Sequence, residues 1–220
     1  MRKTISLIFL ALATLTAGAQ NVHFRFGGGL SSHFGSSAQA VGAFKVGVGY
    51  EVEFDQHWSF TPGFEIYGKG WKDPNQTVYA YDPVTHEPVF DSEGNHVTTT
   101  MSRSATQNYL QLPLVFNYYV RTGESRYVVL GAGPYVAYGI SGKQKTKGDS
   151  GQTGSDMFYY EKKTFKEPGT HRFDAGIRAM AGYQFSSGVI VGLEADFGLT
   201  KFNRSGDRNV SGLVCVGYKL

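Results

Sequence analysis

Charged residues recur at alternate positions in two consecutive stretches of the chain. Arg172, Asp174 and Arg178 share one phase of the first stretch, and Glu194 and Asp196 share one phase of the second. The turn SSG between the stretches predicts that Arg178 lies across from Asp196, with Glu194 as a diagonal neighbour. If these phases line the narrow interior of a folded protein, their charges must be paired, because an unpaired buried charge destabilises the fold by several kcal/mol. We predict a structural plug, or alternatively a gated ion path, made of Glu65, Lys69, Arg172, Asp174, Arg178, Glu194 and Asp196.

The segment HWS is the one stretch that hints at catalysis. Its His57 and Ser59 are two residues apart and would share one face of an extended chain. A His-x-Ser spacing also occurs in barrel enzymes that deacylate lipid A, where the pair faces lipid at the outer leaflet. Here both residues fall in the polar phase beside a short turn, which is the wrong place for that reaction. We therefore expect no enzymatic activity.

Two other stretches could bind charged ligands. DSEGN, from Asp91 to Asn95, carries oxygen donors like part of a calcium loop but lacks the closing glutamate, which favours a polar turn. Lys143, Lys145 and Lys147 could meet lipopolysaccharide phosphates, and the alternative is a solvated, mobile loop. Six scattered histidines and one cysteine form no zinc pattern. We expect no metal and no cofactor.

These groups lie on or between segments in which apolar residues alternate with period two. In NYLQLPLVFNYYV, residues 108–120, the even positions from Leu110 to Val120 are apolar, as expected of a strand with one oily face. Such alternation recurs about eight times. Short turns near 55–57, 121–125 and 186–188 alternate with longer loops at about 31–42, 71–105, 141–170 and 201–208.

Eight antiparallel strands with short turns at one end and long loops at the other are typical of a bacterial outer-membrane barrel. A soluble lipocalin-like barrel also has eight strands. However, about forty large apolar side chains do not fit inside an eight-stranded barrel, whereas the glycine-rich and charged phase does. The oily face therefore points outward, towards lipid. The predicted fold is an all-β, eight-stranded, antiparallel, up-and-down transmembrane β-barrel.

Residues 1–19 have the pattern of a secretory signal peptide, with a basic start, a short apolar run and Ala17 and Ala19 before the expected cleavage site. Residues 20–220 would then form the barrel. Without Arg2 and Lys3 the 21 basic residues fall to 19 against 18 acidic ones, a net charge of +1. This charge gives no argument for nucleic-acid binding. Cys215 is the single cysteine, so no internal disulfide can form.

Two positional expectations follow from the barrel. Proline removes a ladder hydrogen bond, so Pro113 and Pro134 should interrupt the strand ladders by bulges or gaps. Aromatic residues near strand ends should form two interfacial girdles. The residues predicted for one girdle are Phe54, Trp58, Tyr118, Phe185 and Tyr218, and those predicted for the other are Trp71 and Phe202.

The leader ending AGAQ, the strand YLQLPLVFNYY, the segment GAGPYVAYGI and the terminal VGYKL resemble the PorT-like outer-membrane β-barrel family of Bacteroidota. The resemblance covers the mature chain and implies an eight-stranded barrel in the outer membrane of a Gram-negative bacterium. It implies no catalytic motif. We expect a monomeric protein with a structural or interaction role, in contact with outer-membrane lipid, lipopolysaccharide and a protein partner in a secretion or envelope assembly. The alternative is a narrow, porin-like transport or ligand-binding barrel, and a lipid-modifying enzyme is a distant one.

Overall fold

The computed structural model describes residues 21–82, 85, 87–149 and 156–220, the side chains of 149 and 156–158 excepted. The predicted leader, residues 1–19, lies outside this part. No helix in the described part is long and apolar enough to cross a membrane. The strands are β1 Val22–Phe34, β2 Val41–Tyr50, β3 Val52–Glu53, β4 Trp58–Lys72, β5 Gln76–Tyr79, β6 Thr98–Gly123, β7 Arg126–Ser141, β8 Lys143–Asp149, β9 Asp156–Lys163, β10 Phe173–Gln184, β11 Val189–Gly198 and β12 Arg208–Lys219.

Eight of these strands close into an antiparallel ring. The ring order is β1, β2, β4, β6, β7, β10, β11 and β12, and β12 pairs back with β1. β3 continues β2 after a break at Glu51 and keeps the same register against β4. The predicted eight-stranded up-and-down fold is therefore confirmed.

The ring is apolar outside and polar inside. Outward side chains such as Phe26 and Leu193 are 58% and 63% exposed, whereas the inward Arg178 is 1% exposed. Several inward positions are glycines, and a Cβ there would collide with neighbouring side chains, as at Gly47 against Glu65. This inside-out distribution suits hydrocarbon around the ring and confirms that the oily face points outward.

The prolines interrupt the ladders as predicted. Pairing between β4 and β6 skips from Pro62–Leu114 to Glu65–Gln111, which leaves Pro113 in a gap. Pairing between β6 and β7 skips from Pro113–Tyr135 to Phe116–Ala132, which leaves Pro134 in a second gap. The register is the same on both sides of each gap, so these are gaps rather than bulges.

The strands around the first two long connections extend further than the predicted loop boundaries allow. The four long connections are in fact 35–40, 73–97, 142–172 and 199–207, and the second and third contain β5, β8 and β9. The upper half of β6 pairs with β5 on one side and β8 on the other, and β8 pairs with β9. Backbone groups beyond the ring are satisfied by this pairing, so the region predicted as the loop 141–170 contains a hairpin joined to the wall. Because the long connections of outer-membrane barrels are typically the extracellular ones, we call β5, upper β6 (residues 98–105), β8 and β9 the extracellular sheet.

One predicted aromatic girdle is correct and the other is wrong. At the short-turn end Phe54, Trp58 and Phe185 are 60%, 48% and 44% exposed on the outer face. At the loop end Trp71 and Phe202 are 6% and 3% exposed and lie inside the ring. The reason is that β4 stays regular to Lys72, so Trp71 keeps the inward phase of its strand.

Candidate functional site

Arg178 lies at the centre of the interior, enclosed by three carboxylates. Its Nε donates to Asp196 Oδ1 at 2.7 Å, and its Nη1 and Nη2 donate to the two Glu65 oxygens at 2.8 Å each. Glu194 lies 3.4 Å from Nη1. The β10–β11 hairpin pairs Arg178 directly with Asp196, and β4 brings Glu65 across from Gly47 of β2. The planar guanidinium thereby joins opposite walls of the barrel with a bidentate contact on each side.

Two cations complete this middle tier and were missing from the sequence prediction. Lys45 contacts both Glu65 and Glu194, and its Nζ is 3.3 Å from Glu65 Oε1. Arg25 Nη1 lies 3.7 Å from Glu194. Arg25, Lys45 and Arg178 thus face Glu65, Glu194 and Asp196, three positive against three negative charges. Lys45 and Arg25 are in the polar phase of their strands. Both contact Glu194 on β11, which neighbours neither of their strands, and Lys45 also contacts Glu65 on the neighbouring β4.

The upper tier, on the loop side of Arg178, is built around Lys69. Its Nζ donates to Asp174 Oδ2 at 3.2 Å and lies 4.8, 5.4 and 4.7 Å from the ring centres of Tyr67, Tyr109 and Tyr135. Asp174 also accepts hydrogen bonds from Asn209, Tyr135 and Thr200. A buried ammonium held by one carboxylate and three aromatic faces is well stabilised without water.

The lower tier, on the short-turn side of Arg178, is centred on Glu51, which is fully buried. Its carboxylate contacts His23 Nε2 at 2.8 Å and accepts from Ser59 Oγ and Tyr119 at 2.5 Å each and from Lys219 at 2.6 Å. The acid therefore stands between histidine and serine, whereas nucleophilic catalysis requires histidine between serine and acid.

The histidine of the HWS segment is not where the sequence placed it. His57 does not join the lower tier, because its ring stacks on Tyr118 at the outer rim, 6.0 Å between centres. Only Ser59 points inward. The two side chains do not contact each other, and the pair provides no nucleophile with an adjacent base.

Aromatic side chains cover the interior at the loop end. His33 lies between Trp71 and Phe202, with ring centres 5.3 and 4.9 Å away, and Phe165 packs edge-on against Tyr109. Together they form a lid over the Lys69 tier.

Arg172 lies at this lid and is not part of the ion-pair network, in contrast to the prediction. It donates to the Gly139 carbonyl at 2.8 Å, and its guanidinium lies 5.4 Å from the Phe165 ring centre. Residue 172 precedes β10, which begins at Phe173, so strand alternation does not govern its side chain. The structure brings together the other six predicted residues, in two groups: Glu65, Arg178, Glu194 and Asp196 in the middle tier, and Lys69 and Asp174 above them.

The extracellular sheet carries the three predicted loop lysines. Lys143, Lys145 and Lys147 are exposed along β8, and Gln144 between them is buried. Glu161 of β9 contacts Lys143 at 2.6 Å and Lys145 at 4.0 Å. The hydrogen bond from Lys143 lowers the pKa of Glu161 below its ordinary value. The lysines are therefore on a paired strand and not in a mobile loop.

The stretch DSEGN forms a turn at the tip of the second long connection. Asp91 Oδ1 accepts from the backbone N–H of Glu93 at 2.9 Å and of Asn95 at 2.8 Å, and Gly94 adopts a φ of +83°. These hydrogen bonds lower the pKa of the Asp91 carboxyl. Its oxygens are occupied by the turn itself, which agrees with the polar-turn interpretation. In the described part of the chain, no three His, Cys, Asp or Glu side chains are grouped to hold a metal ion.

Cavities open at both ends of the plugged interior. The cavity at the short-turn end has a volume of about 550 Å³ and is lined by Glu53, Trp58, Tyr119 and Lys219 among others. The one at the loop end has about 330 Å³, with Trp71, Arg103 and Asp207 in its wall. The tiers of Glu51, Arg178 and Lys69 lie between the two.

Two solved structures show a distant likeness to the chain. Ail, the attachment invasion locus protein of Yersinia pestis, is similar at 12% identity and a TM-score of 0.39, over 90% of this chain and 95% of that chain. Neisserial surface protein A (NspA) has 12% identity and a TM-score of 0.39, over 90% and 97%. At these values the two likenesses carry no argument about the present chain.

No curated protein matches the chain. The family described as "outer membrane protein beta-barrel domain" matches residues 13–204, which is most of the sequence. With the closed ring, the apolar exterior and the paired interior established, the chain belongs to the outer membrane protein β-barrel domain family and is a small β-barrel protein of the outer membrane.

Proposed function

We propose that this protein is a closed, non-enzymatic barrel with a structural or interaction role, which holds a protein partner of an envelope or secretion assembly at its second long connection. The observation that carries the proposal is the Arg178 tier. A guanidinium 1% exposed and bound to carboxylates on opposite walls leaves no free charge to select or carry a solute. Function is therefore expected at the outer surfaces.

The second long connection supports an interaction role. Tyr79, Tyr81 and Phe90 are 56%, 51% and 53% exposed on the loop side of the ring. His96 packs between Tyr79 and Phe90, with ring centres 4.7 and 4.4 Å away. Exposed aromatic clusters outside the membrane are typical of protein-binding surfaces. The second long connection is the surface we assign to the protein partner.

The absence of enzymatic activity is part of the proposal. It is supported by the order of Ser59, Glu51 and His23, which lacks a base next to a nucleophile. We further infer that residues 1–19 direct export and are removed, and that the protein is a monomeric member of the PorT-like group of Bacteroidota. The support for these inferences is the leader pattern and the strand YLQLPLVFNYY.

Narrow transport or ligand binding is the second candidate function. The polar cavities of about 550 and 330 Å³ at the two ends favour it, because each could admit a small solute. Transport would require the tiers between them to rearrange. Ligand binding in the cavity at one end would not require the tiers to rearrange.

Site-specific photo-crosslinking in intact cells tests the interaction role. A photoreactive phenylalanine analogue at Tyr81 or Phe90 is expected to give one discrete, stoichiometric protein adduct. The matched control is the same analogue at Leu193, which is 63% exposed on the lipid-facing wall and should give none. If neither Tyr81 nor Phe90 gives an adduct while the barrel is folded, the result would contradict the proposed partner and favour a stand-alone role.

A further inference from the structure

The outer face of the extracellular sheet continues the lipid-facing wall of the barrel along β6, beyond a register shift between β6 and β7 at Asn108 and Tyr109. Even-numbered residues of β6 face lipid from Leu110 onward, and the same phase continues upward through Ser104 and Ser102. These two are paired with Lys145 and Lys147 of β8. The join is close-packed, because a Cβ on Gly142 would lie 2.2 Å from the Thr106 carbonyl oxygen. The lysines therefore project from the wall and not into the mouth of the barrel.

The height of these lysines matches the headgroup layer. Ile140 is the last outward aliphatic residue of β7 and is 44% exposed. A strand rises about 3.4 Å per residue and tilts about 40°, so each residue adds about 2.6 Å along the membrane normal. Lys143 then lies about 8 Å, and Lys145 about 13 Å, above Ile140 on the same arithmetic. Long lysine side chains reach several ångströms back towards the interface.

The face carries an excess of positive charge. Lys163 of β9 is paired with Lys143, which adds a fourth lysine to the row. We call Lys143, Lys145, Lys147 and Lys163 the lysine face. Glu161 is the one acidic side chain described within it, so four positive charges meet one negative charge. Hydroxyls of the adjoining β6 row lie beside the lysines and can donate further hydrogen bonds to an anion.

Long connections of outer-membrane barrels lie on the extracellular side, next to the lipopolysaccharide leaflet. We propose that the lysine face binds the phosphate groups of lipopolysaccharide headgroups in that leaflet. Two observations select this occupant: the face is continuous with the lipid-facing wall, and its charge is complementary to a phosphorylated headgroup. Glu161 lies 2.6 Å from Lys143 and 4.0 Å from Lys145, and each exposed ammonium keeps further N–H donors for an anion because it has three. This inference does not depend on the protein partner proposed above.

Native mass spectrometry of the full mature barrel tests the proposal. The probe is bisphosphorylated lipid A in detergent micelles, compared with lipid A stripped of both phosphates. The wild type is expected to prefer the bisphosphorylated form. The variant K143Q/K145Q/K147Q should lose that preference by on the order of 100-fold, since each lysine beside an anionic surface contributes a factor of about five. The matched control K162Q/K166Q/K201Q changes three lysines outside the lysine face and should keep the preference.

Three results would overturn the proposal. Equal affinity of the wild type for both forms of lipid A would show that phosphate is not recognised. An equal loss in the control variant would indicate a general charge effect. Displacement of lipid A by inorganic phosphate at the same concentration would assign the face to the free anion rather than to the headgroup. Because both variants change only exposed lysines, correct folding can be verified by heat-modified gel mobility.

Discussion

The Arg178 tier and the lysine face contain similar groups but differ in what surrounds them. Side chains at the Arg178–Glu65 pair are 1% and 3% exposed, whereas those at the Lys143–Glu161 pair are 60% and 32% exposed. Inside the barrel each charge has lost its water and depends on its partner. On the sheet each charge keeps its water and remains available to an external ion. The comparison assigns stability to the interior and binding to the outer surface.

Removal of the central cation should have the largest effect. Arg178→Met leaves Glu65, Glu194 and Asp196 with too little positive charge, and is expected to destabilise the barrel by about 3–5 kcal/mol. The measurement is urea unfolding in lipid vesicles, followed by tryptophan fluorescence. Arg178→Lys keeps the charge but loses the bidentate contacts, so its unfolding midpoint should lie between those of the wild type and Arg178→Met. An unchanged unfolding midpoint in Arg178→Met would show that the tier is not structural.

The Lys69 tier should give a smaller effect. Lys69→Met removes the contact with Asp174 and the interaction with three tyrosine rings, at an expected cost of about 2–4 kcal/mol. Lys69→Arg preserves a cation against the rings and should retain most of the stability. The same unfolding assay checks both variants. A loss in Lys69→Arg as large as that in Lys69→Met would argue that shape, rather than charge, is what the site requires.

The exposed pair should have the smallest effect. Glu161→Gln is expected to leave the unfolding midpoint unchanged at pH 7, because both partners are solvated. Since Lys143 lowers the pKa of Glu161, any contribution is present above the ordinary carboxyl pKa and is lost as pH falls through the lowered value. The wild-type midpoint should therefore show no Glu161-dependent change between pH 8 and pH 5.5. A difference between wild type and Glu161→Gln across that range would contradict this assignment.

Alternation and turn length explain why part of the interior could be predicted. The SSG turn determined that Arg178 faces Asp196, and the register of the structure agrees. Lys45 and Arg25 were not assigned in this way, because Glu194, which both contact, is on a strand that neighbours neither of theirs, and a single sequence does not show which strands face each other across the interior. Their position in the polar phase was the available signal.

Strands that extend beyond their predicted ends explain why the positions of the loop lysines and Trp71 were predicted wrongly. The stretch from Lys143 to Lys147 has the glycine- and lysine-rich neighbours typical of a loop, but it is strand because upper β6 offers an unpaired edge. The same extension of β4 keeps Trp71 inside, where an aromatic residue at a predicted membrane boundary was expected to face lipid. In both cases tertiary pairing, not local propensity, decides the structure.

Conductance across a planar lipid bilayer tests the central claim most directly. The account predicts that the purified wild-type barrel, inserted at known density, gives no unitary current steps, because the tiers of Glu51, Arg178 and Lys69 fill the interior. Steady unitary steps in the wild type that Asp196→Arg abolishes would contradict the account. They would identify the paired charges as an ion path instead of a plug.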